Sequence, residues 1–449
     1  MNSHNSRNDR LALSRRRALR AAGIAAVTTT TGCLGSVREG IASSDEPPLT
    51  EHDGEVPTQT IPDGAVQFRG SVERWGYYPD ERVPDAVERE WRFDELNQID
   101  HNAAKASAVP LPDGGVVLPG DTGHVRAFEP DGEVRWTAET DLEDRGVHGT
   151  PAVVGDTVYV GAYDGICYAF DAATGEEVWQ TRLGDYIGSS PLYFDDRLFV
   201  AVEYSGYDGS IFAVDPGDGA VRWEDAESRP DEHPHSTPAI DPETGTLVVG
   251  ANDGLLYGWD TSTLELAWTF ETDPHNDTDG EIKGPVATYD GGAFFGSWDG
   301  RIYRVDLEAG TEDWSFDTGR SAMTGPGIDP TLNAVFAGSH DGNMYAFDAD
   351  TGEEAWRFGT DWRILSSPTV CADRLVFGSD DRTLYAVAKR SGEEVWHVDL
   401  DGYVSSTPLV YDGAIYVAER APNPPDPEED QDESEIDTDG GGYKFVAAE

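Results

Sequence analysis

The residues with the clearest potential for chemistry in this chain are few and scattered. His233-Pro234-His235 sets two imidazoles within three positions, and His275 follows on a later loop. Such a trio is a candidate metal cluster, set against the plainer reading of exposed loop histidines. His275-Asn276-Asp277-Thr278-Asp279-Gly280 and Glu435-Ile436-Asp437-Thr438-Asp439-Gly440 each reproduce half of a calcium loop. Both lack the first Asp, and Val286 or Val446 stands where the loop closes on a bidentate Glu, so they read as polar loops. Asn276-Asp277-Thr278 is a glycosylation sequon. The chain contains no glycine-rich phosphate loop, nucleophile elbow or Cys-x-x-Cys-His haem motif. No catalytic residue and no metal site is assigned from this set.

Composition narrows the partners. Asp and Glu total 86 against 32 Lys and Arg, a formal net charge of −54 over 449 residues. A surface of that sign repels phosphate, which argues against nucleic acid. The acid is spread along the whole chain, the pattern expected where high salt screens self-repulsion, as in a halophilic archaeon.

The N-terminus reads as an address. Arg15 and Arg16 lie in Ser14-Arg15-Arg16-Arg17, which looks like a twin-arginine export motif. The apolar stretch 21–27 is too short to span a bilayer. Thr30-Thr31-Gly32-Cys33 resembles a lipobox with Thr30 at the position usually held by Leu, making Cys33 the expected lipidation site. Residues 1–33 are therefore a signal segment and 34–65 a Ser-, Pro- and acid-rich tether. The folded part is expected outside the cytoplasm, held by lipid on the outer face of the cytoplasmic membrane. Cys167 and Cys371 fall in separate repeats, too far apart for the Cα spacing a disulfide needs.

The elements that must position any site are repeats. Trp91, Trp136, Trp179, Trp223, Trp268, Trp314, Trp356 and Trp396 recur at intervals of roughly 40–46 residues, the period of four-stranded propeller blades. Most close one phrase, as in YAFDAATGEEVW at 168–179 and YAFDADTGEEAW at 345–356. Residues 148–182 show the unit. An apolar run gives inner strand A, Thr157 to Ala162 strand B, Ile166 to Asp171 strand C and Glu177 to Thr181 strand D. Asp164-Gly165 and Thr174-Gly175 form the turns. Seven such blades fill 103–398. Blade 4 lacks the turn glycine, reading DTSTLELAW. The eighth is split: 406–410 and 414–418 are followed by an acidic, Pro-rich insert at 420–441 and one strand, 442–446. The missing outer strand is expected from Val87 to Phe93 at the other end of the chain, removing a free edge. The fold class is thus all-β, an eight-bladed β-propeller of four-stranded antiparallel blades over 66–449, expected as a monomer.

The phrase with its Asp, Thr-Gly and Trp resembles the tryptophan-docking repeat of the pyrroloquinoline-quinone-like propeller family. Val66-Gln67-Phe68-Arg69-Gly70 with Trp75-Gly76 looks like the segment that often precedes such rings. The family includes quinoprotein alcohol and sugar dehydrogenases, and also non-enzymatic scaffolds similar to BamB, the lipoprotein of outer-membrane assembly. The enzymes commonly set adjacent cysteines against the quinone and hold calcium; this chain has no Cys-Cys pair. The resemblance implies a protein-binding scaffold at the cell envelope with no cofactor. A dehydrogenase using pyrroloquinoline quinone and calcium, or a polysaccharide-binding module, are the alternatives.

In a propeller the D-to-A and B-to-C connections emerge on one face around the channel mouth, where the family's enzymes hold their cofactor. Here that face is expected to carry His148, Tyr186, His235, Lys283, Arg363 and Tyr403 from the first set, and Trp298 and His340 from the second. Lys283 and Arg363 stand out because cations are scarce.

Overall fold

The computed structural model describes residues 49, 51, 54, 56–98, 106–141, 146–226, 230–273, 280–420 and 440–448. The export motif, Cys33, His275, the sequon, most of both calcium-like loops and the interior of the acidic insert lie outside the described residues.

Every named element is a strand, and the strands form eight sheets. Blade 2 is representative: Ala152–Val154, Thr157–Gly161, Ile166–Asp171 and Glu177–Arg182 pair antiparallel in that order. Local chemistry explains the repeated phrase. The Asp171 carboxylate accepts the backbone N–H groups of Ala173 and Thr174 and the Thr174 hydroxyl, which fixes the C–D turn. Asp348 does the same for Asp350 and Thr351. Gly175 then takes a φ of 72°, a conformation that costs glycine nothing.

That turn is also the seat for the tryptophan of the preceding blade. Trp136 Nε1 donates to Ala172 O, Trp179 to Pro216 O, Trp268 to Leu307 O, Trp314 to Ala349 O and Trp356 to Lys389 O. Trp396 donates to Pro84 O and Trp91 to Pro130 O. Each indole thus packs its rings, buried or half-buried, at a seam and places its one N–H on a carbonyl across it. The turn that follows Trp223 carries Leu264, held at a φ of 59°, where the other blades have glycine.

Blade 8 joins the chain ends. Val87–Asn97 pairs antiparallel with Gly440–Ala447, which pairs with Ala414–Ala418 and then Leu409–Tyr411. The N-terminal strand is longer than 87–93 and carries register shifts after Arg89 and Phe93. The third strand starts at Gly440, so Gly440, Gly441 and Arg420 belong to the blade and not to the insert. Near the axis, backbone N–H groups reach hydroxyls of the next blade: Ser107 to Thr150 Oγ1, Thr150 to Ser190 Oγ and Ser190 to Thr237 Oγ1. Thr407 of blade 8 donates in the same way to Ser107 Oγ of blade 1.

Residues 65–81 form a second layer across the inner strands. Ala65–Val66 adds antiparallel to blade 2, and Tyr77–Tyr78 adds parallel to blade 7. Between them Gln67 Oε1 accepts from Tyr193 N of blade 3. Val72 O, Glu73 O and Trp75 O accept from Ile240, Thr288 and Ile328 of blades 4, 5 and 6. This cap gives inner-strand N–H groups a partner where the channel would otherwise leave an open edge. It is itself anchored by residues of the expected tether: Thr60 N–H donates to both Glu73 carboxylate oxygens, and Leu49 is buried. Cys167 and Cys371 are buried and unpaired, and burial pushes the Cys167 thiol up to about 12.

Candidate functional site

The eight residues expected at the channel mouth do not converge on one point. The structure sorts them into four groups, each set at a seam between blades. The His148 ring lies 3.9 Å from that of Tyr163 at a tilt of 48°, and Tyr163 lies 5.8 Å from Tyr186 at a tilt of 39°. His235 Nδ1 lies 2.7 Å from Oε1 of the buried Glu203, whose other oxygen is 3.4 Å from His233 Nδ1. His233 and His235 therefore meet, but around a carboxylate. Among the described residues no group of three His, Cys, Asp or Glu is placed to hold a metal ion.

Lys283 Nζ sits 3.8 Å over the Trp298 ring and pairs with Glu281. Trp298 in turn meets His340 edge-on at 6.3 Å. A desolvated ammonium over an indole face is a favourable arrangement that fixes both side chains. At the blade 7–8 seam, Arg363 Nε lies 2.6 Å from Asp380 Oδ2, and Arg420 Nη2 contacts both Asp380 oxygens at 3.0 and 3.1 Å. Arg420 and Arg382 then flank Tyr403, at 5.5 and 5.7 Å from its ring. Behind it the buried Glu419 accepts from Tyr443 Oη at 2.6 Å and pairs with Arg92 at 3.3 Å. Burial raises the Glu419 carboxyl above its usual range, an effect those hydrogen bonds partly offset.

Beneath these groups the channel is blocked from the far side. Phe68 of the cap rises toward Lys283, Pro285 and Met323, leaving a cavity of about 50 Å³ between them. Sites for small organic ligands run to about 300–1,000 Å³. A space of that size does not hold a tricyclic quinone, and the sequence contains no adjacent-cysteine pair.

The sequence did not point to what holds the cap. Arg69 and Arg74, 3% and 0% exposed, occupy the centre of the ring. Arg69 donates to the carbonyls of Arg74, Trp75, Pro326 and Pro368, and Arg74 to those of Phe68, Pro191 and Pro238. Two side chains thereby tie the cap to blades 3, 4, 6 and 7. Burial lowers Arg69 to about 10, and burial with the Arg69 charge lowers Arg74 to about 9, so both remain cations at neutral pH. The available signal was two arginines within a short apolar segment of a chain poor in cations.

Comparison with known proteins agrees with this architecture. The family described as outer membrane protein assembly factor BamB matches residues 121–244, 208–343 and 340–441. BamB of Yersinia pestis is 29% identical over 175 residues, 37% of this chain and 43% of that protein. The serine/threonine-protein kinase AfsK of Streptomyces coelicolor is 30% identical over 181 residues, 40% of this chain and 20% of the kinase. Quinohemoprotein alcohol dehydrogenase ADH IIB of Pseudomonas putida is 24% identical over 216 residues, 42% of this chain and 30% of the enzyme. The chain thus spans less than half the length of these curated relatives. Among solved structures, BamB from Moraxella catarrhalis superposes with a TM-score of 0.61 at 20% identity, over 80% of this chain and 100% of that one. A europium-containing methanol dehydrogenase superposes at 0.71 with 12% identity, over 86% and 98%. The chain belongs to the PQQ-like repeat propeller family described as outer membrane protein assembly factor BamB.

Proposed function

We propose that this protein is a scaffold of the cell envelope that binds a protein partner on the face carrying Lys283, Trp298, Arg363 and Tyr403. One observation carries the reading: the aromatic and cationic side chains of that face stand at four separate seams around a channel blocked by Phe68. A spread of rigid aromatics and arginines suits contact with a macromolecular surface, where such residues dominate binding energy. It does not enclose a small substrate. The membership of the BamB-described family supports the same reading. Export through Arg15 and Arg16, and lipid attachment at Cys33, place the ring where an envelope partner is available.

The test is a photo-crosslinker carried at Tyr403 or Trp298, used in membranes at high salt. A single adduct that disappears in the double variant Lys283→Glu, Arg363→Glu supports the scaffold. Crosslinking no different from a probe at Val178, an exposed residue of an outer strand, contradicts it. A second reading, a quinone-dependent dehydrogenase, draws on the 24% identity to ADH IIB. It requires the Phe68 cap to give way before the quinone is seated.

A further inference from the structure

The B–C turns share one design, with two exceptions. In blades 1, 2, 4, 5 and 6 the turn closes on an N–H that Gly123, Gly165, Gly254, Gly300 or Gly342 donates to a carbonyl three residues back, each glycine at a φ between 80° and 96°. In blade 3 the same bond runs from Tyr207 N–H to Tyr204 O, and in blade 7 from Arg382 N–H to Ser379 O. Both residues keep the glycine's backbone, at φ values of 78° and 69°. A Cβ crowds its own backbone at such angles, and a bulky residue there is an outlier that the surrounding fold has to hold in place. Residues held in this way gather at working surfaces.

Neither side chain is buried. Tyr207 is 70% exposed, and Arg382 is exposed as well. Arg363 and Arg420 share Asp380, whereas the Arg382 guanidinium has no carboxylate partner among the described residues. It stays unpaired in a chain whose acidic residues outnumber Lys and Arg by 86 to 32.

Each of the two is propped by the connection to the next blade. Tyr207 stacks on His233 at 5.7 Å with a tilt of 22°, and Arg382 stands 5.7 Å from the Tyr403 ring. His233 and Tyr403 hold the same place in their D-to-A connections, where their carbonyls accept from Asn252 and Arg420. His233 is fixed in turn, with Nε2 2.9 Å from Tyr204 O and Nδ1 3.4 Å from the Glu203 carboxylate. The two stacks are therefore one construction used twice. Blades 3 and 7 are four apart in a ring of eight, so the stacks stand on opposite sides of the channel mouth.

We propose that Tyr207 and Arg382 are the two points at which a protein partner grips the rim of this face, bridging the mouth. The proposal rests on the scaffold reading above and adds the partner's chemistry: a surface that presents a carboxylate to Arg382 and an apolar or aromatic side chain to Tyr207. A guanidinium already held over a phenol ring offers its N–H fork to a carboxylate with little further loss of freedom. A tyrosine held on an imidazole offers a flat face in the same way. A partner that reaches both stacks has to cross the mouth, which selects a folded surface over a small molecule.

The test uses the crosslinker at Trp298 in membranes at high salt, with Tyr207→Gly, Arg382→Gly and Arg382→Lys. Each glycine restores the residue that the other blades carry, so neither should lower the unfolding midpoint. Each should cut the adduct yield at least about tenfold, and Arg382→Lys should retain more adduct than Arg382→Gly. Full adduct yield with either glycine variant overturns the proposal and leaves the scaffold reading standing. A midpoint well below wild type with either glycine also overturns it, because the side chain would then serve the fold. A yield with Arg382→Lys as low as with Arg382→Gly contradicts a carboxylate on the partner's side. No adduct in the unsubstituted protein overturns the scaffold reading and the proposal together.

Discussion

Gly175 lies against the face of Trp136 so closely that a Cβ on the glycine would stand 2.7 Å from the indole ring. The same approach recurs between Gly219 and Trp179, Gly310 and Trp268, Gly352 and Trp314, and Gly392 and Trp356. Glycine in this phrase therefore answers two demands at once, a positive φ and a flat neighbour.

Substitution separates those demands. Gly155 also has a positive φ, 55°, but a Cβ there meets nothing within 4 Å. Gly155→Ala should cost only the backbone penalty, about 1–2 kcal/mol. Gly175→Ala adds overpacking against Trp136 and should cost about 2–4 kcal/mol. Chemical denaturation of both variants checks this, and equal losses would mean that the indole yields freely.

The N-terminal strand should be indispensable. Deleting 87–93 removes most of the partner of Gly440–Ala447 and takes Trp91 from its seam with blade 1, where it stacks on Phe128 at 5.6 Å. The exposed edge should promote association. Thermal unfolding and light scattering should show a large fall in midpoint with aggregation, whereas deleting 36–48 should leave both near wild type. Equal effects would contradict closure of blade 8 by this strand.

Glu73 gives a pH signature. Burial raises its carboxyl above the usual value, although hydrogen bonds from Thr60 work the other way. A raised folded pKa means that the folded state holds the proton more tightly than the unfolded chain. The associated stability is fully present below the unfolded pKa, near 4.3 for Glu, and is lost as pH rises through the folded value. Glu73→Gln lacks this loss. The stability of Glu73→Gln minus that of wild type should therefore climb from pH 4 upward and then level off. A difference that falls with pH would show that the carboxylate is favoured in the folded state.

Much of the architecture was legible because it repeats. A tryptophan, an aspartate and a Thr-Gly at fixed offsets carry a seam and a turn each time, and Trp91 could be placed in the last blade by elimination. Candidate mouth residues could be named because their connections follow from strand order. Their grouping could not, because which neighbour Lys283 or His235 meets depends on side-chain reach across a seam. The cap was legible only as a segment. That Arg69 and Arg74 would turn inward to proline carbonyls is a consequence of single residues in contact with distant blades.

The central claim is that the Lys283–Trp298 face receives a macromolecule and does not seat a redox cofactor. Equilibrium dialysis of the purified protein against pyrroloquinoline quinone and calcium in concentrated salt, with dye reduction followed on the same sample with an alcohol or aldose, tests it most directly. The account predicts equal quinone on both sides of the membrane and no reduction above the protein-free control. One quinone retained per chain, with substrate-dependent reduction, would contradict it.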